Sequence, residues 1–547
     1  MFSHFLRKLG LLGSAKAEGS RTFRLGGRKW RLAPNATTVF GPNGPDLERW
    51  LFDGSAQIVK TGTHRTVYRV VLPGGTIYVK HCRIGGSRAW IREVLRPPKA
   101  RLEFENLIAL QKRGIPAVVP LAWGSTDSRW PGESYLITRS LDGAVPFLTY
   151  LENPCLRVGL VAETLGHFFA KLHDAGIAHP DPHPGNLLVE TTAMGQPVFS
   201  LIDLHAIRMS GPLSWAESRA NLVLFNRWFQ LRASRTDRLR FWHAYRLART
   251  TLPVAVKKVL AEQARELERG TISSNFHFWT SRLPRCLGTN RYFRKVKAGA
   301  IRGHVVADLP ESLLTELLAN PDAFFDRPDS RILKDSRTSK VAAISVGPRQ
   351  LILKRVNVRH WSEPLKNRLR CSALLRSWIS GHTLRDRWLP TPRPLAVLHR
   401  FRFGMPAEGY LLTELVEGAK ELIAKPPSVD RLARILRAMH DRSVSHRDLK
   451  ASNVLLERGN LPVLIDLVGV RVGRPVGFRQ RAKELARLNA SFLSAPDVTR
   501  TSRLQFLRSY LAAGDCQLAD WKSWWKAISL ATSAKQAKNR RSGRPLA

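Results

Sequence analysis

Ser445-His446-Arg447-Asp448-Leu449-Lys450-Ala451-Ser452-Asn453 has the frame H-R-D-x-x-x-x-N. The frame sets a carboxylate, able to take a proton from a hydroxyl, at a fixed offset from an amide that can turn back onto a divalent cation. Such a loop needs a second carboxylate on a nearby strand to complete the cation site. Val463-Leu464-Ile465-Asp466-Leu467 supplies it: a short apolar run ending in an aspartate. A proton acceptor and two cation ligands thus come from separate segments and converge on one site.

The same frame occurs earlier. His179-Pro180-Asp181-Pro182-His183-Pro184-Gly185-Asn186 repeats H-x-D-x-x-x-x-N, and Ser200-Leu201-Ile202-Asp203-Leu204 matches the segment around Asp466. Upstream, Thr76-Ile77-Tyr78-Val79-Lys80 parallels Gln350-Leu351-Ile352-Leu353-Lys354, each a strand-like run ending in lysine. Downstream, Phe241-Trp242-His243-Ala244-Tyr245 parallels Phe506-Leu507-Arg508-Ser509-Tyr510. A recurrence of several separate pieces in one order is the mark of an internal duplication.

Together these pieces spell the catalytic frame of protein kinases, in which a strand lysine is held on the α- and β-phosphates by a glutamate of the following helix. Glu103 stands between Lys80 and Pro116 where that glutamate is needed. At the same offsets between Lys354 and Pro390 stands Ser377, which cannot pair electrostatically with a lysine. The first copy therefore holds the complete set, and the second lacks one part. Both phosphate-covering segments depart from G-x-G-x-x-G. Lys60 to Tyr68 offers Gly62 alone, and Lys334 to Val341 has no glycine, so hydroxyls and basic side chains are left as phosphate donors.

On these residues the chain resembles the lipopolysaccharide kinase family, kinase-like enzymes that phosphorylate Kdo or heptose in the lipopolysaccharide core. The resemblance rests on Lys60 to Lys80, Ala100-Arg101-Leu102-Glu103-Phe104, Gly114-Ile115-Pro116, and the loop from His179 to Asn186. It continues in Ile202-Asp203-Leu204-His205, where Leu-His replaces Phe-Gly, and in Leu389-Pro390-Thr391-Pro392-Arg393-Pro394-Leu395 of the second copy. It implies an α+β chain of two tandem protein-kinase-like bilobal domains, using ATP and Mg2+. Lys80, Gly62 and Lys354 would bind nucleotide, with Glu103 holding Lys80. Asp181 and Asp448 would orient the acceptor hydroxyl and take its proton. Asn186, Asp203, Asn453 and Asp466 would hold the metal.

The expected organisation is a basic N-terminal segment (1–20), a first domain (21–287), a second domain (288–530) and a basic, disordered tail (531–547). In the first domain, strands are expected over Thr66 to Val71 and Thr76 to Lys80, and helices over Ala100 to Lys112 and about Leu156 to Ala175. The five cysteines (Cys82, Cys155, Cys286, Cys371 and Cys516) are scattered without a C-x-x-C pair, which excludes a disulfide framework or zinc ribbon.

With 88 Lys and Arg against 43 Asp and Glu, the formal charge is +45, spread along the whole chain. Such a charge speaks for acidic partners: nucleotide phosphates, an anionic membrane or nucleic acid. No nucleic-acid motif is present, so no nucleic acid is expected. No segment approaches the ~20 apolar residues of a membrane-crossing helix. The expected setting is the bacterial cytoplasm, peripheral at the inner face of the inner membrane. Phe2, Phe5, Leu6, Leu9 and Leu12 fall at helical spacing, either as a weak interfacial anchor or as a frayed terminus.

Two rival functions stand beside the sugar-kinase reading. A protein or small-molecule kinase is opposed by the absent glycine-rich loop and D-F-G. A nucleotide-binding regulatory pseudokinase is opposed in the first copy by its intact set, and only weakly in the second. His183 and His205, and likewise Arg65, Arg69 and Arg83, could contact substrate, or could serve packing and a solvated basic surface.

Overall fold

The computed structural model describes residues 21–34, 36–41, 44–357, 371–422, 428–514 and 520–541. The segment 1–20, Cys516 and residues 542–547 lie outside the described residues. The chain is α+β and forms two compact units, divided between Ser274 and Asn275. That division falls earlier than the expected 287/288. The helix Lys257–Arg282 continues through it, with Leu267 in the core of the first unit.

The first unit begins with a seven-stranded sheet built from β1 (Arg21–Leu25), β2 (Arg28–Leu32), β3 (Ala56–Gly62), β4 (Arg65–Leu72), β5 (Gly75–Cys82), β6 (Pro120–Thr126) and β7 (Ser134–Arg139). Their spatial order is β1-β2-β6-β7-β5-β4-β3, with antiparallel pairing throughout. Strand side chains alternate between faces. Ile77 and Val79 of β5 join Tyr68, Val70 and Ile137 in a buried cluster on one face. Lys80 therefore lies on the opposite face, level with its cross-strand partner Leu136. Leu136 belongs to the core that also holds Ala100, Phe104, Leu107 and Leu110 of the helix Lys99–Lys112. The alternation of β5 thus aims the lysine at that helix.

The second unit repeats this sheet in the same permuted order, with Phe293–Ala298, Ile301–Val306, Pro394–Arg402, Met405–Glu414, Arg349–Val356, Ser339–Val346 and Arg331–Ser336 as neighbours. The likeness extends to local irregularity. The register of the outermost hairpin slips between Ile58 and Lys60 in one unit and between Ile332 and Lys334 in the other. Lys354 pairs with Leu411 as Lys80 pairs with Leu136.

A helical half follows each sheet. The helices Val158–Asp174 and Ser428–Asp441 end in His-Asp pairs whose histidines bond to the downstream aromatic segments. His173 Nδ1 lies 2.8 Å from Tyr245 Oη, and His440 Nδ1 lies 2.7 Å from Tyr510 Oη. Both histidines are buried, and burial lowers the His173 pKa to about 4.

The expected disordered tail requires correction, because the helix Trp521–Arg541 runs well into it. Trp524 is buried edge-on against Phe478, their ring centroids 4.6 Å apart. Thr532 is buried and accepts a hydrogen bond from Asn489 Nδ2 at 3.1 Å. The stripe of Trp524, Trp525 and Ile528, just before the expected tail, packs on the second unit's helical core, and the helix continues from it to Arg541. Among the described residues, no helix is long and apolar enough to cross a membrane.

Candidate active site

In the first unit, Lys80 Nζ lies 2.6 Å from Glu103 Oε1, and both side chains are largely buried. One helical turn beyond Glu103, Asn106 Nδ2 donates to the Leu204 carbonyl at 2.7 Å. Residues three apart share a helix face, so one face both holds the lysine and fixes the backbone beside Asp203. Asp203 follows the strand Pro197–Leu201 in the left-handed region, with φ 63°. A non-glycine residue held there is strained by its environment, a feature that concentrates at functional sites.

Two side chains bond to the Asp203 carboxylate. Arg65 Nη1 donates to both oxygens, at 3.1 and 3.2 Å, and His205 Nδ1 lies 3.5 Å from Oδ1. The His205 hydrogen bond, with Lys80 and Arg65 beside it, holds the carboxyl far below the usual carboxylate range. Glu103, Asp203 and His205 also present ligand atoms within 4.8 Å of one another. These groups line a cavity of about 530 Å³ that continues past His64, Arg83, Arg92 and Lys99.

The loop carrying Asp181 is tied to this cavity through the backbone. Asn186 Nδ2 donates to the Asp181 carbonyl at 2.9 Å, and the Asn186 carbonyl accepts from Ile202 N at 3.0 Å. Asp181 N–H donates to His179 Nδ1 at 3.1 Å. The buried His179 is in turn anchored where Asn221 Nδ2 donates to its carbonyl. Asn221 Oδ1 lies 3.1 Å from His173 Nε2. A continuous chain of hydrogen bonds therefore links the end of the helix Val158–Asp174 to the loop carrying Asp181.

The histidines divide. His183 Nδ1 accepts from Gly185 N at 3.0 Å and shapes its own loop, whereas His205 touches Asp203. Gly62 pairs with Arg65 across the β3–β4 turn, and the cavity is lined there by His64 and Arg65. Asn106 and Asn221 are additions that the sequence did not single out. Asn106 was marked only by its helical offset from Glu103, and Asn221 by nothing local.

The second unit keeps the loop and changes its surroundings. Asn453 Nδ2 donates to the Asp448 carbonyl at 2.8 Å, Asp448 N–H donates to His446 Nδ1 at 3.2 Å, and Ile465 N donates to the Asn453 carbonyl at 2.9 Å. Asp466 has φ 53°. Glu484 takes the part of Asn221, with Oε2 3.2 Å from His440 Nε2 and 2.8 Å from His446 N. The lysine, however, has changed partner: Lys354 Nζ lies 3.2 Å from Asp466 Oδ1. Ser377 is buried on the helix Ala373–Asp386, at the position of Glu103. By strand register Ser339 stands for Arg65, and Val468 stands two residues after Asp466 as His205 stands after Asp203. All three groups that steer Lys80 and Asp203 are absent.

Comparison with known proteins gives a consistent picture. The model of the lipopolysaccharide kinase (Kdo/WaaP) family matches residues 55–245 and 349–510. A 3-deoxy-D-manno-octulosonic acid kinase of Haemophilus influenzae is 32% identical over 146 residues, covering 24% of this chain and 61% of that protein. One from Photobacterium profundum is 35% identical over 109 residues, 19% of this chain and 45% of that protein. The chain spans 61% of the length of the first of these relatives. Among solved structures, WaaP in complex with acyl carrier protein is 20% identical with a TM-score of 0.31, covering 44% of this chain and 98% of that one. With its model matched over two segments that together span more than half of the sequence, the chain belongs to the lipopolysaccharide kinase (Kdo/WaaP) family.

Proposed function

We propose that each unit is a protein-kinase-like bilobal domain and that the first transfers the γ-phosphoryl group of ATP to a sugar hydroxyl of the lipopolysaccharide core. The observation that carries this reading is the meeting of Lys80, Glu103 and Asp203 at one cavity, in a segment matched to the family. The names of the curated relatives favour 3-deoxy-D-manno-octulosonic acid as the acceptor over heptose.

In this reading Lys80, fixed by Glu103, binds the α- and β-phosphates. Asp203 and the amide oxygen of Asn186, whose Nδ2 is already committed to Asp181 O, would hold Mg2+ through hard oxygen donors of the kind that ion prefers. The metal, when bound, neutralises charge on the transferring phosphoryl group. Asp181 orients the acceptor hydroxyl and takes its proton as the sugar oxygen bonds to phosphorus and ADP departs. Arg65 is placed to leave Asp203 for a phosphate oxygen when nucleotide enters.

The second unit, with Lys354 drawn onto Asp466 and no carboxylate at Ser377, fits a weakened or regulatory nucleotide-binding domain. A charge of +45 and the lack of a membrane-crossing helix among the described residues support peripheral contact with an anionic membrane face.

Transfer of labelled phosphate from Mg-ATP to purified lipopolysaccharide precursor tests the reading in the full chain. Loss of label with Asp181→Ala and its persistence with Asp448→Ala is the expected result. Loss with Asp448→Ala alone would assign the chemistry to the second unit. No transfer by protein that still binds nucleotide would leave the regulatory reading.

A further inference from the structure

Between β5 and the helix Lys99–Lys112 lies a separate helix, Ser87–Val94. Ala89, Arg92 and Glu93 on one side of it line the cavity that holds Lys80, Glu103 and Asp203. Its other side is apolar and open to solvent: Trp90, Ile91 and Val94 are exposed together with Leu95, which follows the helix. Ile91 is 55% exposed and Leu95 64%. Trp90 packs against Trp130, itself 66% exposed, their ring centroids 5.7 Å apart. Trp90, Ile91, Val94 and Leu95 recur at helical spacing and form one stripe. Soluble surfaces show single exposed apolar residues as a matter of course, whereas a contiguous cluster marks an interaction site.

The charge around this stripe is one-sided. From Arg83 to Arg101 the sequence carries Arg83, Arg88, Arg92, Arg96, Lys99 and Arg101 against Glu93 alone. Tryptophans beside apolar side chains, flanked by cations, are the composition of elements that lie in the headgroup region of an anionic bilayer. A protein partner would need its own acidic rim to match these cations, whereas an anionic lipid surface supplies one everywhere.

We propose that Trp90, Ile91, Val94, Leu95 and Trp130 insert into the interfacial region of an anionic bilayer, with Arg96 on the lipid phosphates. The proposal deepens the peripheral-contact reading above by naming the surface. Because this helix forms one wall of the cavity, docking brings the mouth beside Asp203 to headgroup level, where the sugar of a membrane-embedded acceptor stands.

Flotation of the full chain with vesicles tests it. One set is phosphatidylcholine alone, the other phosphatidylcholine with phosphatidylglycerol, each at low and high salt. The variant is Trp90→Ser/Ile91→Ser/Leu95→Ser, whose side chains are all exposed. A control variant, Leu247→Ser/Val254→Ser, removes two other exposed apolar residues. The parent and the control are expected to float with anionic vesicles and to keep part of that binding at high salt, since apolar insertion is not screened. The triple variant is expected to bind at least tenfold more weakly and to lose all binding at high salt.

Binding by the triple variant within twofold of the parent would overturn the proposal, as would equal loss in the control. Absence of binding by the parent would do the same. Transfer to a delipidated, water-soluble acceptor separates this outcome from the catalytic reading. A triple variant that keeps soluble transfer while failing to float supports the docking surface. Intact flotation with no transfer to any acceptor would instead sink the kinase reading.

Discussion

Replacing Glu103 with serine would reproduce in the first unit what the second unit already carries at Ser377. At 2.6 Å the Lys80–Glu103 pair attracts by roughly 6 kcal/mol at an effective dielectric of 20. If the lysine were abandoned in its buried place, the cost to folding would be about 3–5 kcal/mol. The second unit shows another outcome, because Lys354 turns to Asp466 at 3.2 Å, a separation worth roughly 5 kcal/mol by the same measure. Lys80 has Asp203 available in the same cavity. The net loss of stability should therefore be about 1–2 kcal/mol, a drop of several degrees in melting temperature for a unit of this size.

Catalysis should suffer far more. A lysine drawn onto Asp203 is removed from the phosphates and also occupies a metal ligand. Loss of one preorganised charge-stabilising group costs roughly 10²–10³ in kcat. Initial rates over a range of ATP concentrations, with calorimetric melting of the same samples, would measure both effects. Glu103→Ser that keeps kcat/KM within threefold of the parent would refute the role given to the pair. A melting point lowered by well over ten degrees would refute the partner exchange, because it would mean a stranded lysine.

Three further outcomes are expected. Arg65→Ala removes the guanidinium from both oxygens of Asp203, so Mn2+ should bind the nucleotide-free protein more tightly while the KM for ATP rises about tenfold with the loss of a phosphate donor, readable by titration calorimetry and initial rates. His173 is held neutral by burial, with its pKa lowered from 6.5 to about 4; the unfolded chain therefore takes up the proton first. Its contribution is complete above pH 6.5 and falls by about 3 kcal/mol as the pH drops to about 4, and urea titrations across that range should show a slope that is shallower in His173→Gln, the buried His399 keeping its own share. Trp524→Ala should destabilise the second unit by about 3–5 kcal/mol, seen as a lower urea midpoint; an unchanged midpoint would refute the packing of the helix Trp521–Arg541 on that unit.

The expectations that held were those written in local spacing. The strands expected over Thr66 to Val71 and Thr76 to Lys80 lie within β4 and β5, because period-two alternation is a property of a few adjacent residues. The offset from Lys80 to Glu103 survived for a related reason: one strand, one connection and one helix leave little freedom in where the carboxylate can fall. The tail was misjudged because its count of basic residues outweighed its continuity with the preceding helix, whose apolar stripe of Trp524, Trp525 and Ile528 is buried by helices far away in sequence.

By itself the sequence determined that the chain is duplicated, that each copy carries the H-x-D-x-x-x-x-N frame and a following aspartate at fixed offsets, and that only the first copy has the helix glutamate. Covalent spacing carries all of that. The tertiary structure decided which charges actually meet. Arg65 reaches Asp203 across 138 residues, and Lys354 reaches Asp466 across 112. The same pairing of sheet and helical halves decided that His205 flanks Asp203, whereas Asn221 and Glu484 tether the loops carrying Asp181 and Asp448. Such partners are chosen by which segments the folded chain brings into contact, and no local periodicity records that choice.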